Sequence, residues 1–290
     1  MTPFDLEFLR KLLKARSGLA LSADKAYLLE SRLLSVARKA GARDLSGLVV
    51  KLRAPDSDAL AAEVVEAMTT NETFFFRDKL PFQHLRDVIV PSLLAARGPR
   101  RRLRIWSAAC SSGQEPYSLA MALKEMGDVL SGWRIEIVGT DIASEVLDRA
   151  RLGVFSQFEV QRGLPIQYLI KYFTQSGEMW EVSPVIRNMV RFEPFNLLND
   201  AARLGMFDVI FCRNVLIYFD PDTKAQVLDR LAHVSQADGY LVLGAAETVI
   251  GLSEMWNPLL EPRGLYRPNR EHSRMAMAAP RFSVVAGSRG

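Results

Sequence analysis

Residues 103–118 read LRIWSAACSSGQEPYS, and this stretch decides the fold. A short apolar run from Leu103 to Trp106 leads into a turn of small side chains, which opens a helical stretch. Strand-length apolar runs that alternate with helical stretches are typical of βαβ units. The sequence therefore predicts an α/β fold with a mainly parallel, Rossmann-like sheet. The further predicted strands are Ile135 to Gly139, Val190 to Phe192, Phe207 to Cys212 and Tyr240 to Gly244.

The segments around this sheet differ from it in pattern. Residues 1–70 show helical periodicity, which predicts a small helical domain. We expect its second helix to begin after Ser22 and end at Gly41, and a third to run from Ala59 to Met68. The remaining expectations are a connector at 71–80 that contributes to the site, an α/β domain at 81–268, a small antiparallel β-subdomain inserted at about 153–191, and a flexible tail at 269–290.

Composition limits the class of protein. The chain has 290 residues, of which 49% are hydrophobic, so it can bury one large core and a smaller one. Its longest apolar stretches have the length of strands, and no signal-peptide pattern opens it, so we expect a cytoplasmic monomer without membrane insertion. Cys110 and Cys212 lie far apart without metal-ligand spacing, so we expect no metal site.

Positive charge is concentrated near the N-terminus. Between Phe8 and Arg53 there are eleven Lys and Arg residues against three acidic ones, a balance of 11 − 3 = +8. Such a cluster indicates an acidic partner surface, and nucleic acid, anionic lipid or an acidic helix would each fit.

Ligands of open parallel sheets bind beyond the carboxyl ends of the strands, so the residues just after each strand are the informative ones. The turn before Glu115 holds a single glycine and lacks the G-x-G-x-x-G pattern, and Glu115 suits a cationic ligand such as S-adenosylmethionine (SAM). Asp141 follows the second strand, where an acidic residue accepts hydrogen bonds from ribose hydroxyls. The alternative for Asp141 is a helix N-cap.

Two further strand ends carry polar side chains. Asn196 could read an adenine edge, or it could be an ordinary turn asparagine. Arg213 and Asn214 directly follow a strand that reads as buried, so their polar groups need partners. Those partners could be a ligand, or Asn214 could tie two strand ends together.

Taken together, these motifs resemble a known family over roughly Phe4 to Pro268. The family is the chemotaxis protein methyltransferases (CheR), which methylate receptor glutamates with SAM. Any one motif alone would be weak, but the set is specific. The motifs are Asn71 to Asp78 (NETFFFRD), Trp106 to Ser118, Thr140 to Ile142, Asn196 to Leu198, and Phe207 to Asp220 with its RNVLIYFD core.

The resemblance implies roles for particular residues. Arg77 and Tyr218 would steer the substrate carboxylate. The SAM contacts would fall on Asn71, Thr73, Arg77, Glu115, Asp141, Asn196, Leu197, Asn214 and Val215. The receptor's cytoplasmic helical domain would dock on Lys25, Arg32, Arg38 and Lys39. The sequence departs from the family pattern at Gln114 and at Ala245-Ala246, where the family commonly has an acidic residue and His-Ser.

Two other functions fit parts of this sequence. A methyltransferase of the same fold acting on nucleic acid or a small molecule is the first alternative, but the sequence lacks an Asn-Pro-Pro-Tyr type motif and a basic run with interleaved aromatics. We therefore expect no nucleic-acid partner. A noncatalytic SAM-binding signalling module is the second alternative. Within the insertion, residues 172–181 resemble a shortened form of a peptide-binding hairpin, and Glu178 and Glu181 would repel a peptide with an acidic end. Both features predict little affinity for a receptor C-terminal peptide.

Overall fold

The computed structural model describes residues 1–22, 25–97 and 101–271. Most of the predicted tail, from residue 272 onward, lies outside them. The helices are α1 Pro3–Ser17, α2 Tyr27–Lys39, α3 Leu45–Leu52, α4 Asp58–Met68, α5 Leu80–His84, α6 Val90–Ala96, α7 Gln114–Lys124, α8 Ser144–Leu152, α9 Gln157–Gln161, α10 Ile166–Tyr172, α11 Pro184–Arg187 and α12 Pro221–His233. The strands are β1 Arg102–Ala108, β2 Arg134–Asp141, β3 Val154–Ser156, β4 Phe173–Ser176, β5 Met179–Val182, β6 Val190–Pro194, β7 Phe207–Cys212, β8 Ser235–Leu243, β9 Trp256–Pro258 and β10 Leu265–Pro268.

Helices α1 to α4 pack around their own apolar core, which includes Leu9, Leu13, Leu29 and Leu33. Two details of the predicted helices are wrong. Helix α2 begins at Tyr27, because the chain first makes a turn in which the Lys25 amide donates to the Ser22 carbonyl. Helix α3 was not predicted at all. It spans only eight residues and contains a glycine and two valines, so its intrinsic helix propensity is low, and its burial against the other helices stabilises it.

The large sheet has the strand order β6-β2-β1-β7-β8-β10-β9. Its first five strands pair in parallel, as predicted, and Ile105 of β1 lies between Ile137 of β2 and Val209 of β7. The last two strands add in antiparallel orientation. These were not predicted, because each has only three or four residues and ends in proline. The predicted α/β class is confirmed, and two antiparallel strands form one edge of the sheet.

Both faces of this sheet are covered. Along β7, Val209 and Phe211 point into one apolar core, while Ile210 and Cys212 point into the other. The first core is completed by helices α5 to α7 and the second by α12. Strands buried on both faces are continuous apolar runs rather than alternating ones, which explains the sequence of β7. Among the described residues, no helix has the length and apolar character needed to cross a bilayer.

The inserted β-subdomain is confirmed as a three-stranded antiparallel sheet in the order β3-β5-β4. Strands β4 and β5 are joined by the two-residue turn Gly177-Glu178, so the hairpin is short. Glu181 was predicted to repel an acidic peptide, but it forms an ion pair with Arg187 at 3.0 Å. The low affinity for a receptor peptide stays a prediction, and it now depends mainly on the tight turn and Glu178.

The connector that follows α4 contacts both the insertion and helix α7. Phe75 is fully buried, and its ring packs edge-on against Phe155 and Phe173 of the insertion at 5.0 and 5.6 Å. The amide of Phe76 donates to the Ser118 hydroxyl on α7 at 2.9 Å. Gly163 of the insertion has a φ of +86°, and a Cβ there would lie 2.1 Å from the Phe75 carbonyl oxygen. The insertion and α7 therefore hold the connector in place.

We expect Gly163→Ala to destabilise the protein far more than Gly177→Ala. Both glycines have positive φ, so each substitution costs about 1 kcal/mol of backbone strain. Only Gly163 faces a backbone atom, while nothing lies within 4 Å of a Cβ at Gly177. The clash should add about 1–3 kcal/mol. Urea unfolding measures both free energies, and equal losses would contradict the proposed clamp on the connector.

Candidate functional site

A cleft lies at the carboxyl ends of β1, β2, β6 and β7, where the N-terminal helices and the connector close over the sheet. The structure brings every predicted cofactor-contacting residue, and Tyr218, to this one cleft. Its lining includes Asn71, Thr73, Arg77, Glu115, Asp141, Asn196, Leu197, Asn214, Val215 and Tyr218.

Asp141 is the buried carboxylate of the cleft, with 5% exposure. One oxygen accepts the Ser111 amide at 2.8 Å and the other accepts the Ala143 amide at 3.0 Å. Burial raises the pKa of Asp141, and these backbone donors oppose that rise. The helix-cap alternative is wrong, because Ala143 is the N-cap of α8 and the carboxylate of Glu66 accepts the first helical amide, Ser144.

The turn after β1 is shaped by its small residues. Ala109 and Ser111 have φ values of +60° and +50°, and Gly113 has +93°. A Cβ at Gly113 would lie 3.0 Å from the Cβ of Ala150 on α8, so the turn packs closely against that helix. This backbone path directs the Ser111 amide to Asp141 and starts α7, which carries Glu115.

Arg213 is the buried centre of an ion cluster under the cleft. Its side chain is 1% exposed, and its guanidinium donates to Glu115 Oε2 at 2.6 Å and to Asp78 Oδ2 at 2.7 Å. It also donates to the Arg77 carbonyl at 2.9 Å, while its Nε has no partner among the residues that the structure describes. The remaining oxygen of Glu115 accepts the Ser107 hydroxyl. With two carboxylates and one guanidinium, the cluster carries a formal charge of −1, which favours a cationic ligand.

Glu247 is a site residue that the strand-end reasoning did not single out. Its carboxylate accepts four backbone amides, those of Asn214, Val215, Leu216 and Gly244, at 2.8–2.9 Å. It thereby ties the end of β7 to the end of β8 and holds Asn214 at a φ of +60°. The sequence did contain a signal for Glu247, because a carboxylate just after the last parallel strand is a candidate site residue. The neighbouring Ala245-Ala246 are exposed, so the departure from the family pattern leaves these contacts intact.

Asn196 connects the sheet to the N-terminal helices. Its amide nitrogen donates to the Arg16 carbonyl at 2.6 Å, and its oxygen accepts the Leu198 amide at 3.0 Å. The side chain is therefore already bonded at both ends, which limits what it can offer an adenine edge. Nearby, the Ala20 amide donates to the Tyr218 carbonyl at 2.9 Å, which fastens the segment after α1 to the cleft wall.

The four predicted docking residues do not share one environment. Arg38 and Lys39 are exposed on α2, and Lys25 is exposed in the turn before it. Arg32 is half-buried, and its guanidinium donates to the Met68 and Thr69 carbonyls and to the Thr70 hydroxyl. The Arg32 guanidinium is therefore less available to a partner than the other three side chains, because it is already bonded within the chain.

Fold and site together define a SAM-dependent methyltransferase of the Rossmann-like class: a mainly parallel sheet, an acidic residue after β2 and a small-residue turn after β1. Sequence comparison supports this class. The family model described as CheR methyltransferase, SAM binding domain matches residues 71–263, and that described as CheR methyltransferase, all-alpha domain matches residues 5–69. The chain belongs to the CheR methyltransferase family.

The chain is similar to curated chemotaxis protein methyltransferases over most of their length. The chain is 41% identical to chemotaxis protein methyltransferase Cher2 of Pseudomonas putida, covering 86% of this chain and 92% of that protein. It is also 41% identical to chemotaxis protein methyltransferase 1 of Pseudomonas aeruginosa, covering 91% and 97%. For chemotaxis protein methyltransferase 1 of Vibrio cholerae the identity is 39%, with coverage of 84% and 89%.

The residues present fit SAM. The Ser111 and Ala143 amides bind one to each oxygen of Asp141, and a carboxylate offers about four acceptor sites, so Asp141 can also accept ribose hydroxyls. The net negative ion cluster around Arg213 suits a ligand that carries a sulfonium and an ammonium group. We therefore expect Asp141 to hold the ribose and Glu115 to face the charged end of the cofactor.

We expect Asp141→Ala to weaken SAM binding about a hundredfold. Two hydrogen bonds to a carboxylate are worth about 3 kcal/mol, which corresponds to that factor. Asp148→Ala is the matched control, because Asp148 is an exposed aspartate on α8 paired only with Arg151. Calorimetric titration with SAM measures both dissociation constants. An unchanged constant for Asp141→Ala would refute the ribose assignment.

Proposed function

We propose that the chain transfers the methyl group of SAM to glutamate side chains of chemoreceptors, giving glutamyl methyl esters and S-adenosylhomocysteine. The observation that carries the proposal is the match to chemotaxis protein methyltransferases along nearly the whole chain. SAM, when bound, supplies an electrophilic methyl group. The proposed substrate is the cytoplasmic helical domain of the receptors.

The residues around the cleft suit a nucleophile that needs no general base. A glutamate side chain has a pKa of about 4.3 and is ionised at pH 7, so it can attack without losing a proton first. In the described part of the chain no histidine lines the cleft, since His84 and His233 lie elsewhere. The chain's task is therefore to align the carboxylate and exclude water from it.

Arg77 and Tyr218 are the proposed residues that steer the substrate carboxylate. Both are half-buried and line the cleft. Arg77 donates one N–H to the Glu72 carbonyl and lies over the Phe74 ring, which orients its guanidinium and leaves other N–H groups for a carboxylate. A guanidinium fork matches the geometry of a carboxylate, which supports Arg77 as the main contact.

The exposed cations of the N-terminal helices supply a docking surface for an acidic partner. Lys25, Arg38 and Lys39 form no ion pair within the described residues, so their charges are available. Acidic helices would be attracted to this surface before the glutamate reaches the cleft, and such steering acts mainly on the rate of association.

The chemistry is tested by incubating the protein with methyl-labelled SAM and membranes that contain chemoreceptors. We expect protein-bound label that mild alkali releases as methanol, because a carboxyl methyl ester is base-labile whereas N-methyl groups are not. Receptors whose methylated glutamates are replaced by alanine serve as the control. Alkali-stable label, or equal labelling of the control receptors, would rule out glutamate methylation.

The docking surface is tested by a Lys25→Glu, Arg38→Glu, Lys39→Glu triple variant. We expect receptor methylation at low salt to slow about tenfold or more, with the difference shrinking as salt screens the charges. SAM affinity should not change, because none of the three residues lines the cleft. Initial rates across a salt series measure the effect. Rates equal to those of the wild type at low salt would exclude this surface.

A further inference from the structure

Arg32 lies on the same helix as two of the proposed docking cations, Arg38 and Lys39, but it faces the cofactor side of the N-terminal helices. Its Nη1 donates to the carbonyls of Met68 at 2.8 Å and Thr69 at 3.0 Å, and its Nη2 donates to the Thr70 hydroxyl at 3.2 Å. Met68 is the last residue of α4, where carbonyls have no partner within the helix. A cation there also interacts favourably with the helix dipole.

From this point a chain of hydrogen bonds leads to the cofactor-binding carboxylate. The side-chain amide of Asn71 donates to the Thr69 hydroxyl at 3.1 Å, and the Ser111 hydroxyl donates to the backbone carbonyl of Asn71 at 2.8 Å. The Ser111 amide in turn donates to Asp141 at 2.8 Å. Thr69, Asn71, Ser111 and Asp141 all line the cleft.

We infer that Arg32 is a positioning residue of the cofactor cleft: it fixes residues 69–71, where α4 leads into the connector, so that the cleft wall they form is in place before SAM binds. A wall that must be ordered during binding lowers affinity, because its conformational entropy is lost at that step. Arg32 therefore acts on the cofactor through the backbone it holds. The remaining cations of the same surface act on the partner.

An Arg32→Lys variant distinguishes docking from positioning, because lysine keeps the positive charge but lacks the planar guanidinium that serves three acceptors. A docking role predicts that Arg32→Lys behaves like the wild type. A positioning role predicts weaker cofactor binding in Arg32→Lys as well as in Arg32→Ala. Arg43 provides the matched control, since it is an exposed arginine of the same helical region with no contact to the cleft.

The experiment is calorimetric titration of the full chain with S-adenosylhomocysteine, without receptor. We expect the dissociation constant to rise about tenfold in Arg32→Ala and about threefold in Arg32→Lys, and to stay unchanged in Arg43→Ala. The loss should persist at 0.5 M salt, because short hydrogen bonds are not screened as long-range steering is.

Urea unfolding of each variant verifies that the fold is intact. If Arg32→Ala does not fold, the Arg32→Lys measurement decides alone. A wild-type dissociation constant in a folded Arg32 variant, with slower receptor methylation, would overturn the inference and return Arg32 to the docking surface. Because the titration contains no receptor, this result is independent of whether glutamate is the methylated group.

Discussion

The buried guanidinium of Arg213 is the constraint on which the site depends. A charge with 1% exposure is stable only when it is paired and hydrogen-bonded, and here its partners come from two other segments. Glu115 belongs to the first turn of α7, Asp78 and the Arg77 carbonyl belong to the connector, and Arg213 itself directly follows β7. Satisfying one charge therefore fixes the relative positions of a strand end, a helix start and the segment that closes the cleft.

At the other strand ends, buried or partly buried carboxylates accept backbone amides and so fix the turns in position. Asp141 accepts amides from the turn after β1 and from the residue before α8, and Glu247 accepts three amides from the turn after β7 and one from the residue after β8. Each carboxylate satisfies donors that the sharp turns leave without secondary-structure partners. The turns need this support because they include non-glycine residues with positive φ, among them Ser111 and Asn214.

The small helical domain has two sides with different tasks. One side is held to the sheet domain by the Asn196 bond to the Arg16 carbonyl and by Glu66, which accepts the Ser144 amide. The other carries exposed cations that suit an acidic partner. In the proposed function, the same domain docks the partner and borders the cofactor cleft, and the connector at residues 71–80 links it to the sheet domain.

The sequence by itself determined which segments form the parallel strands, the position of the inserted sheet and the cluster of strand-end residues, because these follow from local apolar runs and from the rule that parallel strands end on one edge. Only the tertiary structure decided the rest. Strands β9 and β10 and helix α3 are too short to show a period, and their stability comes from packing. The roles of Arg32 and Glu247 depend on which carbonyls and amides lie within about 3 Å of their side chains, and those groups come from segments 36 and 31 to 33 residues away.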